Sequence, residues 1–262
     1  MSTKRAAAGR AWGGRMASAY QRRQRVARRR LPRVIRRAIW GPMSQPPLRA
    51  AIVPVTPFQQ NAMLLWCTRT MRGAVTDPGG EVAKLRALAD QQGVSVEKIL
   101  LTHGHIDHAG GAAELAEMLD VPVEGPHRAD AFLLDRLDVQ GANFGMRARP
   151  VTPDRWLEEG DQVTVGELTF DVYHCPGHTP GHVVFHHPPS KLALVGDVLF
   201  QGSVGRTDFP MSNHEDLLEA ITTKLWPLGD ETAFIPGHGP MSSFGHERRT
   251  NPFVADRVLA RA

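Results

Sequence analysis

The segment Thr102-His103-Gly104-His105-Ile106-Asp107-His108 places three imidazoles and one carboxylate within six residues, directly after the apolar run Ile99-Leu100-Leu101. Imidazole nitrogen and carboxylate oxygen are ligands that zinc and similar divalent ions prefer, and a cluster this dense needs no long-range convergence to become a site. In an extended segment side chains alternate, so His103 and His105 share one side while a turn lets Asp107 and His108 face another. That spacing offers one metal position on each side. Three further segments repeat the form of a strand, then Gly or Pro, then a ligating residue: Cys175-Pro176-Gly177-His178, Val195-Gly196-Asp197 and Gly237-His238. Together with the first cluster they supply five histidines and two aspartates, enough for two metals. A carboxylate has two oxygens and can bridge a metal pair, whereas one imidazole nitrogen cannot, so Asp197 is the natural bridge. His127, His174, His182, His186, His187, His214 and His246 are read as structural or surface residues.

The elements that must position these groups alternate along the chain. Residues 50–55 and 63–67 read as neighbouring strands joined by a turn-prone segment. Asp77-Pro78-Gly79-Gly80 forces a turn, and 82–92 carries helical spacing at Val82, Leu85, Leu88 and Ala89 before Gly93 ends it. Strand 96–101 follows, with the histidine cluster at its C-terminal end, where open α/β sheets place ligands. Ala112, Leu115, Ala116 and Leu119 then share a helical face. The second half is sheet-rich, with short strands over 162–165, 168–173, 183–186 and 192–195. Ser212-Asn213-His214-Glu215 matches a capping box ahead of a helix whose apolar face is Leu217, Leu218, Ile221 and Leu225. Strand 232–235 runs into the rigid turn Pro236-Gly237-His238-Gly239-Pro240. Residues 135–150, including Phe144 and Met146, show no clear periodicity and are expected to form a loop over the site.

Composition frames the chemistry. The 262 residues, 42% hydrophobic, can bury a full core, and the longest apolar runs are strand-sized, so no membrane span is expected. Two cysteines, Cys67 and Cys175, have no paired spacing and fit a reducing, cytoplasmic compartment. Cys175 has no evident activating base and is read as a small buried residue. The net charge of +4 averages two unlike regions. Residues 1–42 hold 13 Lys plus Arg and no acid, leaving 18 basic against 27 acidic residues, a net of −9, for 43–262. The basic segment is expected to be a disordered extension ahead of one domain at 43–262. Competing readings are an organellar transit segment, an arm for nucleic acid or a membrane surface, and a non-native extension before Met43. Nothing in the sequence specifies an oligomeric state.

The pattern His103-x-His105-x-Asp107-His108, His178, Asp197 and His238, separated by 70, 19 and 41 residues, resembles the metallo-β-lactamase superfamily. That resemblance implies an α/β fold of αββα type, two mixed sheets packed face to face with helices outside. Gly205-Arg206-Thr207-Asp208-Phe209-Pro210 and Pro236-Gly237-His238-Gly239-Pro240 make it similar to the short bacterial glyoxalase II-like (hydroxyacylglutathione hydrolase) group. The resemblance implies that His103, His105 and His178 hold one divalent metal and that Asp107, His108 and His238 hold another, with Asp197 bridging. Zinc is the first expectation, with iron and manganese as alternatives. Asp107 would be both ligand and catalytic residue, and Asp77 would support the ligands from behind. A metal-bridging hydroxide would attack a thioester carbonyl, with S-D-lactoylglutathione or a related acyl thioester as substrate. No Gly-x-Ser-x-Gly elbow offers a side-chain nucleophile instead.

Departures from that group bear on the substrate. The C-terminal helical domain with which glyoxalase II enzymes grip glutathione is expected to be missing. Gly205-Arg206-Thr207 stands where they carry a Lys and a Tyr. Arg206 either binds a substrate carboxylate, the reading preferred here, or pairs with Asp208 at the surface. Phe144 is a second candidate for substrate contact. Asp197 at the bridge disfavours a β-lactamase, and His105 in place of Glu disfavours a flavodiiron enzyme. A persulfide dioxygenase with a single iron remains an alternative. An RNA nuclease using the basic tail is another, disfavoured by the acidic body.

Overall fold

Alternate residues of the second strand face two different cores, and this sets the architecture. In the computed structural model, which describes residues 47–260, β1 (Leu48–Val55) pairs antiparallel with β2 (Gln60–Cys67), and β2 is buried at every position. Ala62, Leu64 and Trp66 pack under helices, whereas Met63, Leu65 and Cys67 pack against a second sheet. A strand buried on both faces reads as a continuous apolar run. β3 (Arg72–Thr76) pairs antiparallel with β2, and β4 (Ser95–Leu100) and β5 (Val123–Glu124) extend the sheet in parallel, giving the order β1-β2-β3-β4-β5.

The second sheet is built from β6 (Gln162–Val165), β7 (Leu168–His174), β8 (Val183–His187) and β9 (Leu192–Gly196), all antiparallel neighbours. A small hairpin, β10 (Leu199–Phe200) and β11 (Ser203–Val204), precedes β12 (Ala233–Pro236), which lies parallel to β9 and carries the edge strand β13 (Ser242–Ser243). Three buried clusters define four layers. The first lies between sheet one and its helices, the second joins the sheets through residues such as Met63, Leu100, Phe170, Phe185 and Ile235, and the third lies beneath helices on sheet two. The fold is therefore the αββα sandwich, each face of each sheet being covered.

The helices are α1 (Val82–Gln92), α2 (Ile106–Ala109), α3 (Ala112–Leu119), α4 (Ala131–Leu134), α5 (Leu137–Phe144), α6 (His214–Ala220), α7 (Phe244–Thr250) and α8 (Asp256–Leu259). α1 ends where expected, because Gly93 takes the left-handed conformation and its N–H caps the last turn. Two expectations are corrected. The stretch 135–150 contains α5, a helix whose buried face consists only of Leu137 and Gly141, so no apolar periodicity advertises it. The cap of α6 is Asn213, whose Oδ1 accepts the N–H groups of Glu215 and Asp216, while Ser212 donates its hydroxyl to the His178 carbonyl. That helix also gives way after Ala220 to a wider turn over Ile221–Leu225. The basic segment 1–42 lies outside the described residues. Among the described residues no helix is long and apolar enough to cross a membrane.

Candidate metal centre

Five strands deliver their C-terminal ends to one rim. β3 and β4 run parallel, β9 and β12 run parallel, and β7 shares the direction of β9 through the antiparallel β8 between them. Residues just beyond those ends are Asp77, His103 to His108, His178, Asp197 and His238. The two sheets are tied together at this rim, since Asn61 N–H donates to the Gly237 carbonyl at 2.7 Å and Val183 N–H to the Thr102 carbonyl at 2.8 Å.

The seven side chains expected to ligate metal converge. His103 Nε2 lies 3.1 Å from His105 Nδ1, which lies 3.0 Å from His178 Nε2. Asp107 Oδ2 is 3.2 Å from His238 Nε2 and 3.8 Å from His108 Nε2. Asp197 sits between these groups, with Oδ1 3.3 Å from His108 Nε2 and Oδ2 3.6 Å from His178 Nε2 and 3.5 Å from His238 Nε2. Ligand atoms of His103, His105 and His178, and separately of Asp107, His108 and His238, fall within 4.8 Å of one another.

Hydrogen bonds behind the rings decide which nitrogen faces inward. His178 Nδ1 donates to the Arg206 carbonyl at 2.8 Å, His238 Nδ1 to the Phe58 carbonyl at 3.3 Å, and His108 Nδ1 to Asp77 Oδ2 at 3.0 Å. Each bond puts the proton on Nδ1 and leaves an Nε2 lone pair for the centre. The Thr102 hydroxyl donates to Asp77 Oδ2 at 2.7 Å, so across 3.0 Å it can only accept from His103 Nδ1, which turns that ring the same way. Asp77 is fully buried and also accepts the Thr102 N–H at 2.7 Å.

Electrostatics divide the cluster. Burial first, then neighbouring imidazoles, holds His103 well below the ordinary imidazole value and His105 down to about 3, so both rings are neutral donors. Burial also lowers His178. On the other side burial opposes the charge on His108, but the Asp197 and Asp107 carboxylates overcome it and raise that ring. Burial alone would raise Asp197, yet His108 and then His178 bring it well below the carboxylate range. The field that retains a proton there would equally retain a cation. His108 Nε2 and Asp197 Oδ1 are buried with no hydrogen-bond partner, and with neutral imidazoles beside them the donor set fits divalent metal.

His182, expected to be structural or surface, and Asp130 and Gln140, for which the sequence gives no role, support this geometry. His182 stacks on His103 with ring centroids 4.7 Å apart, and its Nε2 accepts the Asp197 N–H at 3.0 Å. The repeated Pro-Gly-His of 176–178 and 180–182 was the available signal. Asp130 and Gln140 grip the histidine loop, and no motif marks either. Of the proposed substrate contacts, Arg206 lies on the surface in a two-point pair with Asp208 and 4.7 Å above the Phe209 ring. Phe209 in turn packs 5.0 Å from His105. Phe144 is exposed and meets Phe58 edge-on at 5.1 Å. Cys175 is buried, and burial pushes its thiol up to about 12.

Residues 55–238 match the family model of the metallo-β-lactamase superfamily, and the chain belongs to that family. It is 42% identical over 205 residues to the hydroxyacylglutathione hydrolase GloC of Haemophilus influenzae, covering 78% of this chain and 96% of the relative. Among solved structures it is similar to TTHA1623 in a di-iron-bound form, at 41% identity and a TM-score of 0.71, covering 78% of this chain and 99% of that one. The structure of BLEG-1, named a B3 metallo-β-lactamase, is 33% identical with a TM-score of 0.73, covering 79% and 99%. The fold and the His/Asp cluster together imply divalent metal binding.

Proposed function

We propose that the protein hydrolyses thioesters, S-D-lactoylglutathione or a related acyl thioester, at a centre holding two divalent metal ions. The observation that carries this reading is the placement of Asp197, whose two oxygens reach toward both histidine groups. His103, His105 and His178 would hold one ion, Asp107, His108 and His238 the other, and Asp197 would span them. The likeness to GloC supports the thioester. Nitrogen and oxygen donors suit zinc, iron or manganese; zinc is the assignment made here, and the di-iron form of TTHA1623 makes iron the alternative to measure.

Held by these residues, two ions would supply a water acidic enough to act as a nucleophile near neutral pH and a Lewis acid for the carbonyl oxygen. The chain's own groups do the rest. The Nδ1–H bonds of His108, His178 and His238 lock the rings in one tautomer and orientation. Asp107, beside His238 at the more open part of the cluster, would hold the second ion and, through its carboxylate, accept a hydrogen from the attacking water and so orient it. The thiolate would leave without a strong general acid, because a thiol is acidic enough to depart as its anion near neutral pH. Arg206 would serve a substrate carboxylate, giving up its pair with Asp208, and Phe144 an apolar portion of the substrate.

The test is metal analysis of the purified protein joined to turnover of S-D-lactoylglutathione, other acyl thioesters, a persulfide, a β-lactam and RNA. The β-lactam arm answers the likeness to BLEG-1. Thioester turnover is expected with about two metals per chain. A fully metal-loaded protein that cleaves none of the thioesters refutes the reading.

A further inference from the structure

The trio His103, His105 and His178 comes from loops that leave different sheets. His103 and His105 follow β4 of sheet one, and His178 follows β7 of sheet two. Neither ladder sets the 3.0 to 3.1 Å spacings among their nitrogens. A carboxylate outside the ligand set joins the two loops. Asp130, fully buried just before α4, accepts the Gly104 N–H at 2.9 Å and the Thr179 hydroxyl at 2.8 Å on Oδ2, and the Gly181 N–H at 2.6 Å on Oδ1. Gly104 lies between His103 and His105, and Thr179 follows His178.

The contact has no slack. A Cβ on Gly104 would come 2.7 Å from Leu133 Cβ, and one on Gly181 would come 2.5 Å from the Asp130 nitrogen. His127 N–H adds a bond to the Gly181 carbonyl at 3.0 Å. From α5, Gln140 Nε2 donates to the Gly104 carbonyl at 3.3 Å, and its Oε1 accepts the Ile106 N–H at 3.1 Å. Both backbone groups of Gly104 are thus satisfied by side chains of the 130–140 segment. On the opposite side Asp77 grips His108 and Thr102. The cluster therefore has two buried carboxylate braces, one behind each half.

We infer that Asp130 is a positioning residue for the His103, His105 and His178 trio, setting the separation of its two loops and thereby the affinity of that half of the centre for a divalent ion. It acts through Gly104, Thr179 and Gly181 and touches no ion. The inference rests on the metal-binding reading of the cluster and is independent of the thioester chemistry.

The experiment is zinc binding to the full chain by competition with a chromogenic chelator, resolving two dissociation constants, with cobalt absorption as a second readout. His105→Ala and His238→Ala mark which constant belongs to which half. Asp130→Ala is expected to weaken the ion that His105→Ala loses by ~10- to 100-fold, the usual effect of removing support behind a ligand, and to leave the other within a few-fold. Its cobalt bands should change for that ion alone. Thr179→Val, which removes one of three bonds to Asp130, should weaken the same ion by less, and Asp77→Asn should weaken the other. Wild-type affinity for both ions in a folded Asp130→Ala, or equal weakening of both, overturns the inference. Should Asp130→Ala fail to fold, unchanged or unselective binding in Thr179→Val overturns it instead. A wild-type chain that binds no zinc, iron or manganese refutes the metal reading itself, a result distinct from these.

Discussion

Substituting alanine at Gly237 separates the geometry of the centre from the stability of the fold. Gly237 precedes His238, a proposed ligand, and its backbone is held from both sides: its N–H donates to the Gly196 carbonyl and its carbonyl accepts the Asn61 N–H, each at 2.7 Å. Asn61 Nδ2 further binds the Pro236 and Gly239 carbonyls, so the turn cannot slide away. A Cβ built on Gly237 falls 2.1 Å from Asp197 Oδ1 and 2.6 Å from His108 Cε1. To reach the 3.4 Å at which ordinary contact begins, the Asp197 carboxylate must retreat by more than an ångström. The yielding atoms are the end of a short side chain and the edge of a ring, so the damage falls on ligand geometry. A displacement of about 1 Å in a reacting constellation costs on the order of 100-fold in rate. Gly237→Ala should therefore fold with an unchanged far-UV spectrum, hold fewer metals per chain, and lose about two orders of magnitude in kcat/KM for thioester hydrolysis. Metal content by plasma emission and turnover at saturating metal measure both. A variant with full metal content and activity within a few-fold of wild type would show that Asp197 does not occupy the shared position.

Asp197→Ala should lose at least one metal and nearly all activity, because among the described residues no other carboxylate lies beside histidines of both halves; retained stoichiometry would contradict the bridging role. Cys175→Ala should keep most of the activity and lose only about 1 kcal/mol of stability, since the buried thiol is un-ionised at neutral pH; inactivation by thiol reagents that alanine reproduces would reverse that role. Asp130 predicts a pH signature. Burial, only partly offset by its three hydrogen bonds, raises its pKa from the ordinary aspartate range to about 6, so the folded state binds this proton more tightly than the unfolded one. Its contribution is full below about pH 4 and is lost as pH rises through about 6, on the order of 2 to 3 kcal/mol. In chemical denaturation of metal-free protein, the stability difference between wild type and Asp130→Asn should change across that window; a constant difference would mean that Asp130 does not titrate there.

Much of this protein is legible along the chain because its information is local. The proposed ligands fall within six residues or just after strand ends, where a Gly or Pro frees the backbone to present a side chain. α1 is legible because its apolar spacing and its Gly93 stop signal both lie inside the helix. The burial of β2 on both faces likewise appears in its apolar run over residues 62–67, whereas the burial of the polar Gln60 and Asn61 at its start does not. α5 escapes because its interior position is Gly141, which carries no hydrophobic signal. The cap of α6 moves by one residue because Ser212 has a tertiary partner, the His178 carbonyl, that competes with local capping.

The sequence by itself therefore carried the candidate ligand types and their order, properties of residue chemistry and short-range spacing, and through the family resemblance it carried the sandwich. Only the tertiary structure decided how the ligands are held. The tautomers of His108, His178 and His238 depend on Asp77 and on the carbonyls of Arg206 and Phe58, and for His178 and His238 these partners lie 28 and 180 residues away. Asp130 joins two loops from different sheets through Gly104, Thr179 and Gly181, 26, 49 and 51 residues distant. Such bonds carry no periodicity and no motif, because they form where packing brings separated backbone groups against one buried carboxylate.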